Sequence, residues 1–141
     1  IRHSDVIEEE KMESTESILT SIKKLLGIEE TYDQFDPDLI MDINAVFMIL
    51  NQLGIGPADC FSISDKTSNW VDFLGTDLTK LPVVKPYIST KVRLMFDPPT
   101  SSAVIDEMNK LINEYEWRLT ITVPPTPDPV TVKESEDYNG E

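Results

Sequence analysis

The chain has 141 residues, 40% of them hydrophobic, and a formal net charge of -14. That length suits one domain with a real core, not two, and the acidic balance argues against gripping phosphate backbones, because such affinity comes mostly from Lys and Arg. One cysteine, Cys60, and one histidine, His3, leave no internal disulfide and no ligand set for a structural zinc, so the expectation is a reducing compartment with no cofactor and no metal.

The charge is uneven. Residues 1–16 carry six acids against two bases, residues 124–141 carry five against one, and the stretch between holds the remaining fifteen acids and nine bases. The excess at the ends fits solvated or docking tails. No apolar run reaches the roughly 18 residues of a bilayer span, and the acidic N-terminus is unlike a signal peptide; a soluble protein made in the cytosol, with no membrane partner, is expected. Met12 stands as the expected natural start, which would make residues 1–11 a leader or an added segment.

In chain order, 1–16 reads as an acidic extension. "SILTSIKKLL" places Ile18, Ile22, Leu25 and Leu26 at helical spacing, with Gly27 as the stop. "FDPDLIMDINAVFMILNQLG" predicts the next helix, with Asp36 as N-cap, Pro37 at the first helical position, Asp38 in the first turn and Gly54 closing it. Its six consecutive apolar residues, Ala45–Leu50, require more than one covered face, either within a bundle or against another subunit. Val46, Phe47, Met48 and Ile49 are therefore the candidate subunit interface.

Residues 54–69 read as a long connection with a short extended piece at Cys60–Ile63, and "NWVDFLG" as one helical turn. In "DLTKLPVVKPYISTKVRLMF", Asp77 lies near a cap and Pro82 and Pro86 limit the regular helix to about Val83 onward, with Val84, Ile88, Val92 and Met95 in phase. Phe96, Asp97, Pro98 and Pro99 form a stiff joint: Pro98 disfavours helix at Asp97, and Thr100–Ser102 offer caps for the next helix. There Val104, Met108, Leu111 and Tyr115 line a stripe widened by Ile105, Ile112 and Leu119, with Asp106–Lys110 and Glu114–Arg118 as i,i+4 pairs. Beyond it, Thr120, Ile121, Thr122 and Val123 alternate polar and apolar before Pro124 and Pro125 open a Pro-rich acidic tail, an extended arm rather than core. The whole predicts an all-α bundle of four to five helices over 17–119, flanked by extended tails.

No catalytic set emerges. A Ser or Cys60 nucleophile has no base, since His3 lies in the N-terminal extension; the acid pairs Glu29–Glu30, Asp36–Asp38 and Asp106–Glu107 fall where caps or exposed faces explain them. Asp65, Thr67 and Asn69 imitate a calcium loop, but Trp70 stands where Gly is needed and no Glu follows at the twelfth position. "GIGP" at Gly54–Pro57 lacks the spacing of a dinucleotide fingerprint. Trp70 and Trp117 read as core or interface anchors; Trp117 lies off the apolar stripe, which leaves self-packing and a subunit contact both open.

"SILTSIKKLLG", "FDPDLIMDIN" and "VRLMFDPPTSSAVIDEMNKLINEYEWRL", in that order, resemble the phage head-to-tail connector, or head-completion adaptor, proteins over about Ser17–Leu119. The resemblance implies a structural virion protein and not an enzyme: a small helical bundle forming a dodecameric homo-oligomeric ring beneath the portal protein, at the virion neck, after assembly in the host cytoplasm. Such a ring extends the channel through which packaged DNA passes without sequence-specific binding, and docks the stopper or tail-completion protein. It also implies that the terminal extension, Thr120–Pro125 here, reaches the portal. The alternative reading is a small DNA-binding regulator associated with packaging, against which the charge speaks.

Overall fold

The computed structural model describes residues 14–121. They form five helices: α1 (Ile18–Leu26), α2 (Asp36–Gln52), α3 (Trp70–Leu74), α4 (Leu81–Phe96) and α5 (Ser102–Thr120). The fold is all-α. No strand occurs among the described residues; an isolated antiparallel bridge joins Ser17 to Asn69, and the extended piece expected at Cys60–Ile63 does not pair with anything as a strand.

Helix α4 is the hub, packed against α1, α2 and α5. Its inward residues Val84, Ile88 and Val92 meet Ile18 and Ile22 of α1, Leu39, Ile43, Val46 and Leu50 of α2, and Ile112 and Leu119 of α5 in one continuous core. Pro86 lies inside α4, and the helix starts at Leu81 rather than Val83 because Pro82 occupies its first positions, where no amide partner is needed. Asp77 does not cap it: its carboxylate accepts from Thr79 N at 3.2 Å and Thr79 Oγ1 at 2.7 Å in a turn of its own. Met95, in phase with the core by spacing, is exposed because it lies at the end of α4.

Local signals account for most helix ends. Ser17 Oγ accepts from Thr20 N at 3.2 Å, and Gly27 closes α1 in the left-handed region at φ 80. Helix α2 departs from the expected cap: Phe35 is the N-cap, without a side-chain bond, and Asp36 is already helical, with its carboxylate turned toward Lys23. In α3, Asn69 and Asp72 form a reciprocal capping box, which stabilises a helix of only five residues.

The 54–69 connection is anchored by α2. The Asn44 side chain acts like a peptide group, with Nδ2 donating to Ile63 O at 2.9 Å and Oδ1 accepting from Ile63 N at 2.8 Å; Asn51 Nδ2 donates to Pro57 O at 3.0 Å. Phe47, Phe61 and Phe73 then close over it, with ring centroids 4.7–5.3 Å apart. Gly56, at φ 92, leaves room for this cluster, since a Cβ there would collide with the Phe73 ring.

Helix α5 buries a narrower stripe than its apolar content suggests. Ile112 and Leu119 are buried and Ile105, Met108 and Tyr115 half-buried, whereas Val104 and Leu111 are exposed. With α4 as its main neighbour, one packed face covers only one line of residues. Arg118 pairs with Glu114 at 2.8 Å, but Lys110 takes Glu107 at 3.6 Å instead of Asp106.

Candidate assembly surfaces

The joint between α4 and α5 is built as its prolines demand. Helix α4 stops at Phe96, Asp97 turns away at φ -149 and ψ 71 while its N–H still reaches Arg93 O, and Ser101 Oγ caps α5 by accepting from Val104 N at 3.4 Å. Pro98 is exposed and Pro99 half-buried. The Phe96 ring meets Phe35 edge-on at 5.1 Å, and Phe35 meets Tyr32 at 5.2 Å, so the joint is fastened to the start of α2. Further along, Tyr87 Oη donates to Glu116 Oε2 at 2.8 Å, a buried phenol tying α4 to α5. Burial first, then the hydrogen bond and charge of Glu116, push the Tyr87 hydroxyl well above its usual range.

The expected interface residues of α2 divide. Val46 and Phe47 are fully buried in the chain's own core, and Ile49 is half-buried, so the first two cannot meet a neighbour; the apolar run is consumed on two sides by α4 and by the 54–69 connection. Met48 is 58% exposed and Met41 66%. With the exposed Ala45 they form an i, i+4, i+7 ridge on the solvent side of α2. Sequence reasoning missed Met41, although its spacing to Met48 was legible.

Asp38 and Asp42 flank this ridge one turn apart. Burial, then the charge of Asp38, raises the Asp42 carboxyl above its ordinary value. Trp117 is 61% exposed, on the side of α5 opposite the packed stripe, so of the two readings left open for it self-packing falls away. Trp70 is fully buried, its Nε1 donating to Ser21 Oγ at 3.0 Å.

Of the expected docking arm, Thr120 and Ile121 are described and Thr122, Val123, Pro124 and Pro125 lie outside the described residues. Thr120 is the last residue of α5, its Oγ1 donating to Trp117 O at 3.0 Å. The chain turns extended only at Ile121. Ile121 lines a shallow cleft with Leu53, Ile55, Lys80, Val83 and Leu119 at one end of the bundle. His3 and the rest of residues 1–13 also lie outside the described part.

A buried cation is the polar feature that sequence reading missed. Lys23, 2% exposed, donates from Nζ to Tyr32 O at 2.6 Å and Glu30 O at 3.0 Å and lies 2.9 Å from Asp36 Oδ1. It pins the α1–α2 connection from beneath; its place one residue after Ile22, on the buried flank of a short helix, was the available signal. The residues that imitate a calcium loop are locally engaged: Asp65 accepts from Thr67 N at 2.8 Å, and Asn69 caps α3. No group of three or more His, Cys, Asp or Glu that could hold a metal occurs among the described residues, and no described helix is long and apolar enough to cross a membrane. Cys60 is half-buried, with a weak contact from its Sγ to Phe61 O at 3.8 Å.

What the geometry presents is thus a rigid bundle with several unpartnered outer surfaces and no convergent set of reactive groups among the described residues. No curated protein and no solved structure matches the chain at a significant level. The family model described as "Phage connector protein" matches residues 18–126, from the first residue of α1 to beyond the end of α5. The chain belongs to the phage connector protein family.

Proposed function

We propose that the chain is a ring-forming head-to-tail connector: twelve copies assemble beneath the portal at the virion neck, lengthen the channel that packaged DNA traverses, and offer their far side to a stopper or tail-completion protein. The observation that carries this reading is the extent of the family match, which covers all five helices and runs on to residue 126, through the segment proposed as the portal-docking arm, Thr120–Pro125. Membership of a structural family supports a role without catalysis. The rigidity of the bundle supports it too, because a ring repeats one subunit geometry many times and small angular errors prevent closure. The chain's acidity suits a channel that lets DNA slide: a wall that repels phosphates does not hold them.

The position of the segment supports the docking-arm reading. Ile121 leaves the bundle at an end cleft, and the residues after it alternate Thr122, Val123 before Pro124 and Pro125, a pattern suited to adding a strand to another protein's sheet edge with little entropy lost. Full-length chain and a chain ending at Ile121 are to be compared for melting and for co-sedimentation with portal particles, with negative-stain imaging of the complexes. The expected result is twelve-fold rings on the portal with the full chain, and loss of binding with an unchanged melt after truncation. Undiminished binding by the truncated chain would overturn the arm; portal particles without any added ring would overturn the connector reading.

A further inference from the structure

Two of the surfaces left over after the core is built point away from each other. One is the α2 ridge of Met41, Ala45 and Met48, flanked by Asp38 and Asp42. The other is an apolar groove between the end of α1 and the first half of α4, lined by Leu25, Leu78, Leu81, Pro82, Lys85 and Pro86. Pro82, Pro86, Ser89 and Arg93 follow one another at i, i+4, i+7 and i+11, all at least partly accessible, so Arg93 lies on the same side of α4 as the groove, one turn beyond the last residue that lines it. Helices α2 and α4 pack through their inward faces. At about 100° per residue the ridge and the groove lie roughly on the opposite, outer sides of those two helices.

The charges are complementary. Helix α2 contains three aspartates and no cation; Asp36 is taken by Lys23, but neither Asp38 nor Asp42 has a cation within ion-pair distance among the described residues, whose ion pairs involve other acids. From Leu78 to Phe96 the chain has Lys80, Lys85, Lys91 and Arg93 and no carboxylate. Among the described residues Arg93 has no ion pair, and Lys85 only a long one, 4.0 Å to Glu16. Two ridges packed on each other would gather carboxylates with no cation to meet them, which disfavours a symmetric contact.

We infer that the α2 ridge of one copy seats in the α1–α4 groove of the next, with Met41 and Met48 against Leu25, Pro82 and Pro86 and with Asp38 and Asp42 meeting Arg93 and Lys85. The occupant is a second copy of this chain, in a head-to-tail contact. This rests on the ring reading and deepens it: a ridge on one side and its complement on the other is the arrangement that propagates in one direction and closes when the rotation per subunit allows. Methionines on the ridge suit such seating, since their unbranched side chains adapt to a groove. The exposed apolar residues of both surfaces then have a partner, and Asp38, Asp42 and Arg93, which have no other ion pair among the described residues, become neighbours.

The test uses full-length chain with Cys60→Ser as background, so that new thiols are the only ones. Met48 is 58% and Leu25 53% exposed, so M48C and L25C leave the core untouched, and the melting curve checks this. Under mild oxidation at high concentration, the chain carrying both changes is expected to give a covalent ladder that climbs past the dimer. A mixture of the two single variants is expected to stop at the dimer, and each alone to remain a monomer. Asp42→Lys in the double variant should slow cross-linking at least several-fold, and adding Arg93→Glu to the same chain should restore it. Dimers from M48C alone would mean that the ridge packs on itself and would overturn the proposal, as would absence of a ladder in every condition. Rings on the portal without the M48C–L25C cross-link would sink this contact while leaving the connector reading intact; a ladder from a chain that neither binds portal nor forms rings would leave the contact standing and remove that reading.

Discussion

Trp70 Nε1 donates to Ser21 Oγ at 3.0 Å in the interior, and Ser21 Oγ in turn lies 2.8 Å from Ser17 O and 2.9 Å from Glu16 Oε1. This short chain of bonds fastens α3 to the start of α1, next to the Ser17–Asn69 bridge. A helix of five residues is too short to be stable by itself, so its place depends on its capping box and on this anchor.

Replacing Trp70 with Phe is therefore expected to cost about 2–3 kcal/mol, from one lost buried hydrogen bond and the volume of the missing ring. Ser21→Ala, which leaves the indole N–H without a partner, is expected to cost about 1–3 kcal/mol. Chemical denaturation of the two variants measures both, and a near-neutral S21A would show that the bond contributes little.

Lys23 makes a second prediction. Its ammonium satisfies two backbone carbonyls and faces Asp36 from a buried position, so Lys23→Met keeps the aliphatic stem but strands three acceptors. The expected loss is about 3–5 kcal/mol, as for breaking a buried pair from one side. Lys23→Met combined with Asp36→Asn should recover part of it, and a denaturant series on the three variants measures the coupling between the two positions.

These two anchors mark the boundary of what the sequence discloses. Helix positions were legible because Gly27, Pro37, the Pro98–Pro99 pair and the helical spacing of Ile18 with Ile22, and of Val84, Ile88 and Val92, are local signals. The burial of Lys23 was not, since a lysine in the last turn of a helix is equally well explained by the helix dipole. Nor was the anchoring of residues 54–69, which depends on Asn44 and Asn51 meeting carbonyls 6–19 residues away. The α2 interface was read from composition as one block, Val46–Ile49, whereas the two-sided covering of that helix leaves Met41 and Met48 outward and takes Val46 and Phe47 inward. The face a residue occupies is decided by which neighbours pack, and one strand of sequence does not contain the neighbours.

Glu16 sets an acid limit on stability. Burial alone would raise its carboxyl, but hydrogen bonds from Lys24 and Ser21 and the charges of Lys24 and Lys85 outweigh it and hold the group below its ordinary value of 4.5. The folded state thus binds this proton more weakly than the unfolded chain, and the ionised form stabilises the fold. That contribution is complete above about pH 4.5 and is lost as the pH falls through the lower folded value. Melting temperatures measured between pH 7 and pH 3 are expected to fall at the acid end, and Glu16→Gln is expected to lower the melt at pH 7 and flatten the decline. An identical pH profile in the variant would show that other carboxylates set the acid limit.

The last prediction concerns the joint. Pro98 and Pro99 fix how α5 leaves α4, while the Phe96–Phe35–Tyr32 edge contacts and the Tyr87–Glu116 bond hold the two helices against the body. Because those contacts are independent of the prolines, Pro98→Ala with Pro99→Ala is expected to lower monomer stability only modestly, by about 0.5–1 kcal/mol per site, chiefly by loosening the unfolded chain. Its effect on assembly is expected to be larger, since an added spread in the α4–α5 angle is repeated at every subunit of a closed ring and moves the end of α5, where Trp117 and Ile121 sit, relative to the α2 ridge and the α4 groove. Ring yield on portal particles, counted by negative-stain imaging beside a denaturant melt of the same variant, separates the two effects. A large loss of rings with a small loss of stability supports a joint that sets assembly geometry; equal ring yield from the double variant would show that packing of α5 on α4 alone fixes the angle.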